Sequence, residues 1–216
     1  RTIFGLKNIP FELVSIANDD EETPVSMIGV KMVPILQKED GTYMPESMDI
    51  VKFIDENYGE KLIKTPILNK IQNAQLAAWE EKVKPYIYKL AMPRWVDAGL
   101  EEFRSQSAKD YFTHKKEAYL GTTFRELFKQ SGEMIKLINP LLEELAAQIL
   151  MPSGRAIVDG KTVFINGDIS EDDIHLFAHL RSLSIVEGVV FPDKVKKYAA
   201  NFSTISKIPL HFGIAL

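Results

Sequence analysis

Apolar positions along the chain follow two rhythms. From residue 71 onward they step by three and four, as in Leu76, Trp79, Val83, Ile87 and Leu90, and again in Ile138, Leu141, Leu142, Leu145 and Ile149. That spacing lines side chains along one helix face, so this part reads as a helical domain with buried stripes. The first 60 residues instead alternate short apolar runs with turn residues. Residues 1–6 read as the last turns of a helix closed near Asn8, a residue that tolerates the left-handed conformation. Residues 11–17 carry Phe11, Leu13 and Ile16 between Pro10 and the Asn18-Asp19-Asp20 cluster, and predict a strand. Thr23-Pro24 predicts a short helix to about residue 28, with the hydroxyl capping and the proline placed where no N–H is needed.

Residues 33–36 form a compact apolar run, Asp40-Gly41 is a turn pair, and residues 42–44 can pair back across it. Pro45-Glu46-Ser47 then opens a helix along Ile50, Val51, Ile54 and Tyr58 that Gly59 ends. The order helix, strand, helix, strand, strand, helix makes residues 1–60 an α/β domain, 61–70 a linker containing Thr65-Pro66, and 71–216 the helical domain. Within the latter, Pro85 and Pro140 should each kink or start a helix. The helical spacing breaks between residues 151 and 168. There, residues 156–158, the turn pair Asp159-Gly160 and residues 162–165 predict an inserted hairpin. In Ile169-Ser170-Glu171-Asp172-Asp173-Ile174, Ser170 and Asp173 have capping-box spacing and Ile169 and Ile174 that of a hydrophobic staple. Its expected role is folding, worth about 1 kcal/mol.

Composition narrows the function. The chain has 45% hydrophobic residues, enough for a real core, and no window approaching about 18 consecutive apolar residues, so no membrane partner is expected. No secretory leader pattern opens it, and a cytoplasmic location is expected. With 26 basic against 30 acidic residues and no basic tract, nucleic acid is not an expected partner. There is no cysteine, which excludes a disulfide scaffold, a thiolate metal site and thiol catalysis by these 216 residues. His175 and His179 are four apart on one helix, but a catalytic zinc site needs a third ligand and none is indicated, so no metal is expected. The acidic run Asp19-Asp20-Glu21-Glu22 reads as a solvated loop.

Two short runs carry candidate chemistry. In Met32-Val33-Pro34-Ile35-Leu36 a proline enters an apolar strand, which fits either an edge strand or a cis Val33–Pro34 peptide that presents a backbone edge to a ligand. In Pro45-Glu46-Ser47-Met48-Asp49 a helix N-terminus offers unpaired N–H groups to a carboxylate, Ser47 adds a hydroxyl, and Glu46 can accept from an ammonium group. Together these suit the zwitterionic end of an amino acid. Plain N-capping by Ser or Asp is the alternative.

Val33-Pro34-Ile35-Leu36, Glu46-Ser47-Met48-Asp49-Ile50 and the later Ile169-Ser170-x-x-Asp173-Ile174 resemble the glutathione-transferase superfamily. Phe4 to Pro10, Val33 to Gln37, Met44 to Val51, Met92-Pro93-Arg94, Lys115 to Ala118 and Ser170 to Ile174 are closer still to the bacterial glutaredoxin 2 family, nearly end to end. The resemblance implies an α/β plus all-α fold: a thioredoxin-like N-terminal domain, incomplete in this chain, and a glutathione-transferase-like helical C-terminal domain. It implies glutathione as cosubstrate, protein or small-molecule disulfides as partners, and a monomer. Val33, beside the cis Pro34, would pair with the cysteinyl backbone, and Glu46 and Ser47 would hold the γ-glutamyl end. The family's Cys-Pro-x-Cys pair lies at the start of its first helix, which here begins too late to include it. No catalytic residue is therefore assigned within the chain, and a strand with a Cys-x-x-Cys is expected upstream of Arg1. Residues 151–167 are longer than the family pattern. The functions implied are a glutathione-dependent thiol–disulfide oxidoreductase or, as the alternative, a cysteine-free glutathione-binding module without redox activity.

Overall fold

A computed structural model of the chain describes residues 1–60, 73–149, 157–158, 161–162, 164–166 and 168–216. The first part contains α1 (Thr2–Leu6), α2 (Glu22–Ile28), β1 (Ile35–Gln37), β2 (Tyr43–Pro45) and α3 (Ser47–Asn57). The second contains α4 (Ala74–Trp95), α5 (Gln106–Leu120), α6 (Phe124–Glu144), the short hairpin β3 (Ile157–Val158) and β4 (Lys161–Thr162), α7 (Glu171–Leu183) and α8 (Asp193–Ser206). The predicted linker 61–70 lies outside the described residues, as do the predicted turn at Asp159-Gly160, residues 150–156, Val163 and Gly167.

The hairpin of the first part forms as its sequence requires. β1 and β2 run antiparallel with Ile35 opposite Pro45, Leu36 opposite Met44 and Gln37 opposite Tyr43. Gly41 takes φ 82°, and the Asp40 carboxylate accepts from the Thr42 N–H at 2.9 Å and its hydroxyl at 2.6 Å. Both bonds stay within the turn, the habit that makes Asp a turn residue. The expected closure of the first helix also appears, with Asn8 at φ 54°.

Three expectations are corrected. Residues 11–17 form no strand: they join no ladder, and Phe11, Leu13 and Val14 are exposed. Alternating apolar residues become a strand only beside a neighbour to bond, and the sheet of the first part contains only β1 and β2 among the described residues. Second, Thr23 is not the cap of α2. The helix begins at Glu22, and Asp20 takes the capping role by accepting from the Thr23 N–H at 2.9 Å; the Thr23 hydroxyl and then its N–H hold the Asp20 carboxyl below the usual range. Third, Val33 and Pro34 precede β1 instead of lying within it, since a residue without an N–H cannot donate to the ladder.

Helices α4 and α6 carry the main core. Leu76, Trp79, Val83, Ile87 and Leu90 are all buried, and Ile138, Leu142 and Leu145 face them from α6 and the π-helical turn Leu145–Ile149. Trp79 also donates its indole N–H to the Leu141 carbonyl at 2.6 Å. Pro85 and Pro140 start neither helix: each lies inside one, as does Pro93. Side-chain caps open the helices, Asn73 on α4, Ser105 on α5 and Thr123 on α6. At the closing end of α4, buried Arg94 donates to the carbonyls of Leu216 and Leu90 and to the Ser131 hydroxyl, and its guanidinium lies 4.8 Å from the Phe128 ring.

A second apolar cluster joins the two parts. Ile3, Phe4, Ile50, Val51 and Ile54 from α1 and α3 pack with Ile174, Phe177 and Phe202 from α7 and α8. The α1–α8 approach is close: a Cβ on Gly5 would sit 1.7 Å from the Ser206 carbonyl oxygen. Beside this cluster, Lys7 and Asp55 form a buried ion pair at 3.2 Å, and Lys7 also donates to the carbonyls of Asp55 and Glu60.

The capping box at α7 is present and reaches further than its sequence indicated. The fully buried Asp173 carboxylate accepts from the Ser170 N–H at 2.9 Å and its hydroxyl at 2.8 Å, from the Ile165 N–H at 3.0 Å and from the Tyr198 hydroxyl at 2.8 Å. Burial raises the Asp173 pKa against the pull of these four donors, and burial pushes the Tyr198 phenol well above its ordinary value. Next to it, Asp172 accepts from the Asn73 N–H at 3.0 Å and the Asn166 amide at 2.7 Å, which ties the start of α4 to the start of α7.

Candidate functional site

The register of the hairpin brings the two candidate runs to one end of the sheet. Because Ile35 pairs with Pro45, the residues just before β1, Val33 and Pro34, lie beside those just after β2, Glu46 and Ser47. The Val33–Pro34 peptide is cis, as its place in the apolar run predicted. Val33 is 64% exposed, and neither its N–H nor its carbonyl makes a hydrogen bond among the described residues. A bare backbone edge therefore stands at the mouth of the hairpin.

Glu46 turns the chain into α3 with φ 70° and ψ 117°. That left-handed φ is costly for a side chain other than Gly, Asn or Asp, and it sets the helix start directly against the end of β2. The Glu46 carbonyl accepts from the Ile50 N–H at 2.9 Å, but no side chain caps the helix. The capping alternative for this run is therefore not what its side chains do here. Glu46 and Ser47 are both exposed. The N–H groups of the first turn remain open to an anion, and the helix dipole favours one. An ammonium group held by the Glu46 carboxylate and a carboxylate at the helix N-terminus are the complementary ends of an amino-acid group.

One flank of this site was missed by the sequence reading. Lys31, two residues before Val33, donates to the Asn18 carbonyl and lies 4.1 Å from the centroid of the Tyr111 ring on α5. The Tyr111 hydroxyl donates to Glu21, and Lys115 donates to the Tyr111 hydroxyl while standing 3.4 Å from Glu21 Oε1. The Tyr111 hydroxyl and Lys115 hold the Glu21 carboxyl below the usual carboxylate range, and the Tyr111 hydroxyl raises the Lys115 ammonium. The acidic run 19–22, expected to be solvated, is thus partly a docking strip, with Ser107 donating to Asp19. A lysine inside the otherwise apolar stretch 30–36 was the available signal.

Other candidate chemistry does not assemble. His179 Nε2 lies 3.5 Å from Glu80 Oε1, and among the described residues no group of three or more His, Asp or Glu side chains is placed to hold a metal. Among the same residues, no helix is long and apolar enough to cross a membrane.

Comparison with known proteins matches both parts. Residues 75–215 match the family described as glutaredoxin 2, C terminal domain, and residues 1–62 match the glutathione S-transferase N-terminal domain. Over all 216 residues the chain is 42% identical to glutaredoxin 2 of Escherichia coli (strain K12), covering 93% of that protein. It superposes on the structure of glutaredoxin 2 from Salmonella typhimurium in complex with glutathione with a TM-score of 0.88 at 41% identity, covering 100% of this chain and 91% of that one. A glutathione S-transferase of Ceriporiopsis subvermispora, also in complex with glutathione, matches with a TM-score of 0.68 at 16% identity over 96% of this chain and 87% of that one, a likeness of fold alone. The architecture is therefore glutathione-transferase-like, with a thioredoxin-like N-terminal part and a helical C-terminal part.

Proposed function

Because the chain belongs to the glutaredoxin 2 family, we propose that it binds glutathione at the end of the β1–β2 hairpin and forms the body of a glutathione-dependent thiol–disulfide oxidoreductase. The observation that carries this reading is the exposed, unbonded Val33 backbone beside the uncapped start of α3. The cysteinyl residue of glutathione pairs with the Val33 N–H and carbonyl as a short added strand, next to the cis Pro34. Its γ-glutamyl carboxylate takes the N–H groups and Ser47 hydroxyl at the start of α3, and Glu46 accepts from its ammonium group. Residues 1–60 are the glutathione-binding domain in this reading, 61–70 the linker and 71–216 the helical domain.

Redox chemistry needs a thiolate, and the reading assigns the dithiol to residues upstream of Arg1, next to the first helix. A thiolate there attacks a substrate disulfide, releases one half as a thiol and holds the other as a mixed disulfide; the second thiol of the pair displaces that half as a thiol, and two molecules of glutathione reduce the resulting protein disulfide and leave as glutathione disulfide. Residues 11–17, where Phe11, Leu13 and Val14 are exposed and no ladder forms among the described residues, are the segment that a further strand would pair with in this reading. Protein or small-molecule disulfides are the substrates, and the protein acts as a cytoplasmic monomer. The absence of cysteine favours, as the second reading, a glutathione-binding module without redox activity. Thiol titration, intact mass and hydroxyethyl-disulfide reduction by the complete product of the native gene decide between the two. No titratable thiol and no reduction, with glutathione still bound, establish the module.

A further inference from the structure

We propose that Tyr111 on α5 is a positioning residue for the glutathione-pairing loop, holding the Val33 backbone in place through the side chain of Lys31. The inference rests on the reading of Val33 as the partner of the cysteinyl backbone. Residues 30–34 connect Gly29, the left-handed residue closing α2, to the first ladder residue of β1, and among the described residues their backbone makes no hydrogen bond. A segment without backbone bonds samples many conformations unless side chains restrain it. Here one side chain carries the restraint, because Lys31 reaches back to the Asn18 carbonyl and across the Tyr111 ring.

Both anchors of Lys31 are themselves fixed to the helical part. The Asn18 N–H donates to the Glu102 carbonyl at 2.9 Å, and the Tyr111 ring is pinned at its hydroxyl by Glu21 and Lys115. The Lys31 ammonium is thereby engaged within the protein, so its contribution to the ligand passes through the loop it restrains. Glu21 and Lys115 are more than half exposed, and exposed ion pairs contribute little to stability. The cluster's effect therefore falls on the loop more than on the fold. A ligand that pairs with a backbone edge binds more tightly when that edge is already ordered.

The test uses the complete gene product, with glutathione titrated calorimetrically against the wild type, Tyr111→Leu, Lys31→Met, the double variant and Tyr111→Phe, and thermal unfolding followed in parallel. Loss of a partly exposed cation–π contact predicts Kd raised about two- to fivefold in each of the first two single variants. The double variant should be no weaker than the weaker single, and Tyr111→Phe, which keeps the ring under Lys31 but loses the pin at its hydroxyl, should weaken binding less than Tyr111→Leu does. Unchanged affinity in the single variants overturns the proposal. So do losses that multiply in the double variant, which would mean that Lys31 meets the ligand independently of Tyr111. An affinity loss that merely follows a falling unfolding temperature also overturns it. A Glu46→Ala, Ser47→Ala control separates the two layers: if it binds as the wild type does, the site itself is misassigned, whereas if it alone is weakened, only the role of Tyr111 is refuted.

Discussion

Replacing Glu171 by Gln should make the protein more stable in mildly alkaline solution and leave it unchanged in acid. Glu171 is the first residue of α7 and only 5% exposed, and its Oε2 has no hydrogen-bond partner among the described residues. Burial pushes its pKa up to about 7, Asp172 and Asp55 add to the rise, and Lys52 on α3 opposes it. The folded protein thus holds this proton more tightly than the unfolded chain, where the value is 4.5. Between those two values the folded state carries the extra proton, so stability falls as pH rises through the window and the loss is complete above about pH 8. A rise from 4.5 to about 7 corresponds to at most about 3 kcal/mol, less whatever the seam regains by relaxing or admitting water. Gln keeps the shape and removes the charge. Urea unfolding at several values from about pH 5 to pH 8 should show the two proteins converging at the acid end and the variant ahead at the alkaline end. A constant gap at every pH, or none, would refute the assignment of this titration to Glu171.

The remaining expectations concern binding and packing. Glu46→Ala with Ser47→Ala should weaken glutathione binding by at least about tenfold in calorimetry, since hydrogen bonds to charged groups contribute about 1.5–3 kcal/mol each. Asp173→Ala should lower stability by at least about 1–3 kcal/mol in urea unfolding, because Ser170, Ile165 and Tyr198 would lose a buried acceptor, while glutathione affinity of the folded fraction stays unchanged. Gly5→Ala should cost about 1–3 kcal/mol in thermal unfolding by forcing α1 away from the Ser206 carbonyl.

What could be read from the sequence was what neighbouring residues decide. The left-handed Asn8, the stripes of α4 and α6 and the Ser170–Asp173 box depend on spacings of four residues or fewer, the β1–β2 hairpin on pairs within ten residues around a local turn signal, and each appears in the structure. Residues 11–17 had the same local quality, but a strand needs a neighbour, and spacing within a segment carries no information about one. The capping of α2 was misread because Asp20 and Thr23 are both good cap residues, and chain geometry at Glu21 chose between them. At the candidate site the cis peptide was legible, whereas the Lys31–Tyr111 contact joins residues 80 positions apart and the Tyr198–Asp173 bond joins residues 25 apart. No local pattern specifies such pairs.

The buried contacts tie Val33, Pro34, Glu46 and Ser47 to the helical part of the chain. The helix that presents Glu46 and Ser47, α3, buries Ile50, Val51 and Ile54 against Ile174, Phe177 and Phe202. Its far end is clamped by Lys7, whose ammonium reaches Asp55 and the Glu60 carbonyl. An ion pair this deeply buried adds little net stability, but a shift of α1 relative to α3 would separate two buried charges, so the pair resists it. Tyr111, from the opposite side, holds the loop that leads into Val33. The two runs of the candidate site are therefore each tied to the helical part through separate contacts, apolar at α3 and polar at Lys31. Their mutual geometry follows the β1–β2 register, in which Ile35 lies opposite Pro45. A three-residue strand pair is marginal by itself. Its two ends are fastened to the helical part instead, through α3 to α7 and α8 and through Lys31 to α5.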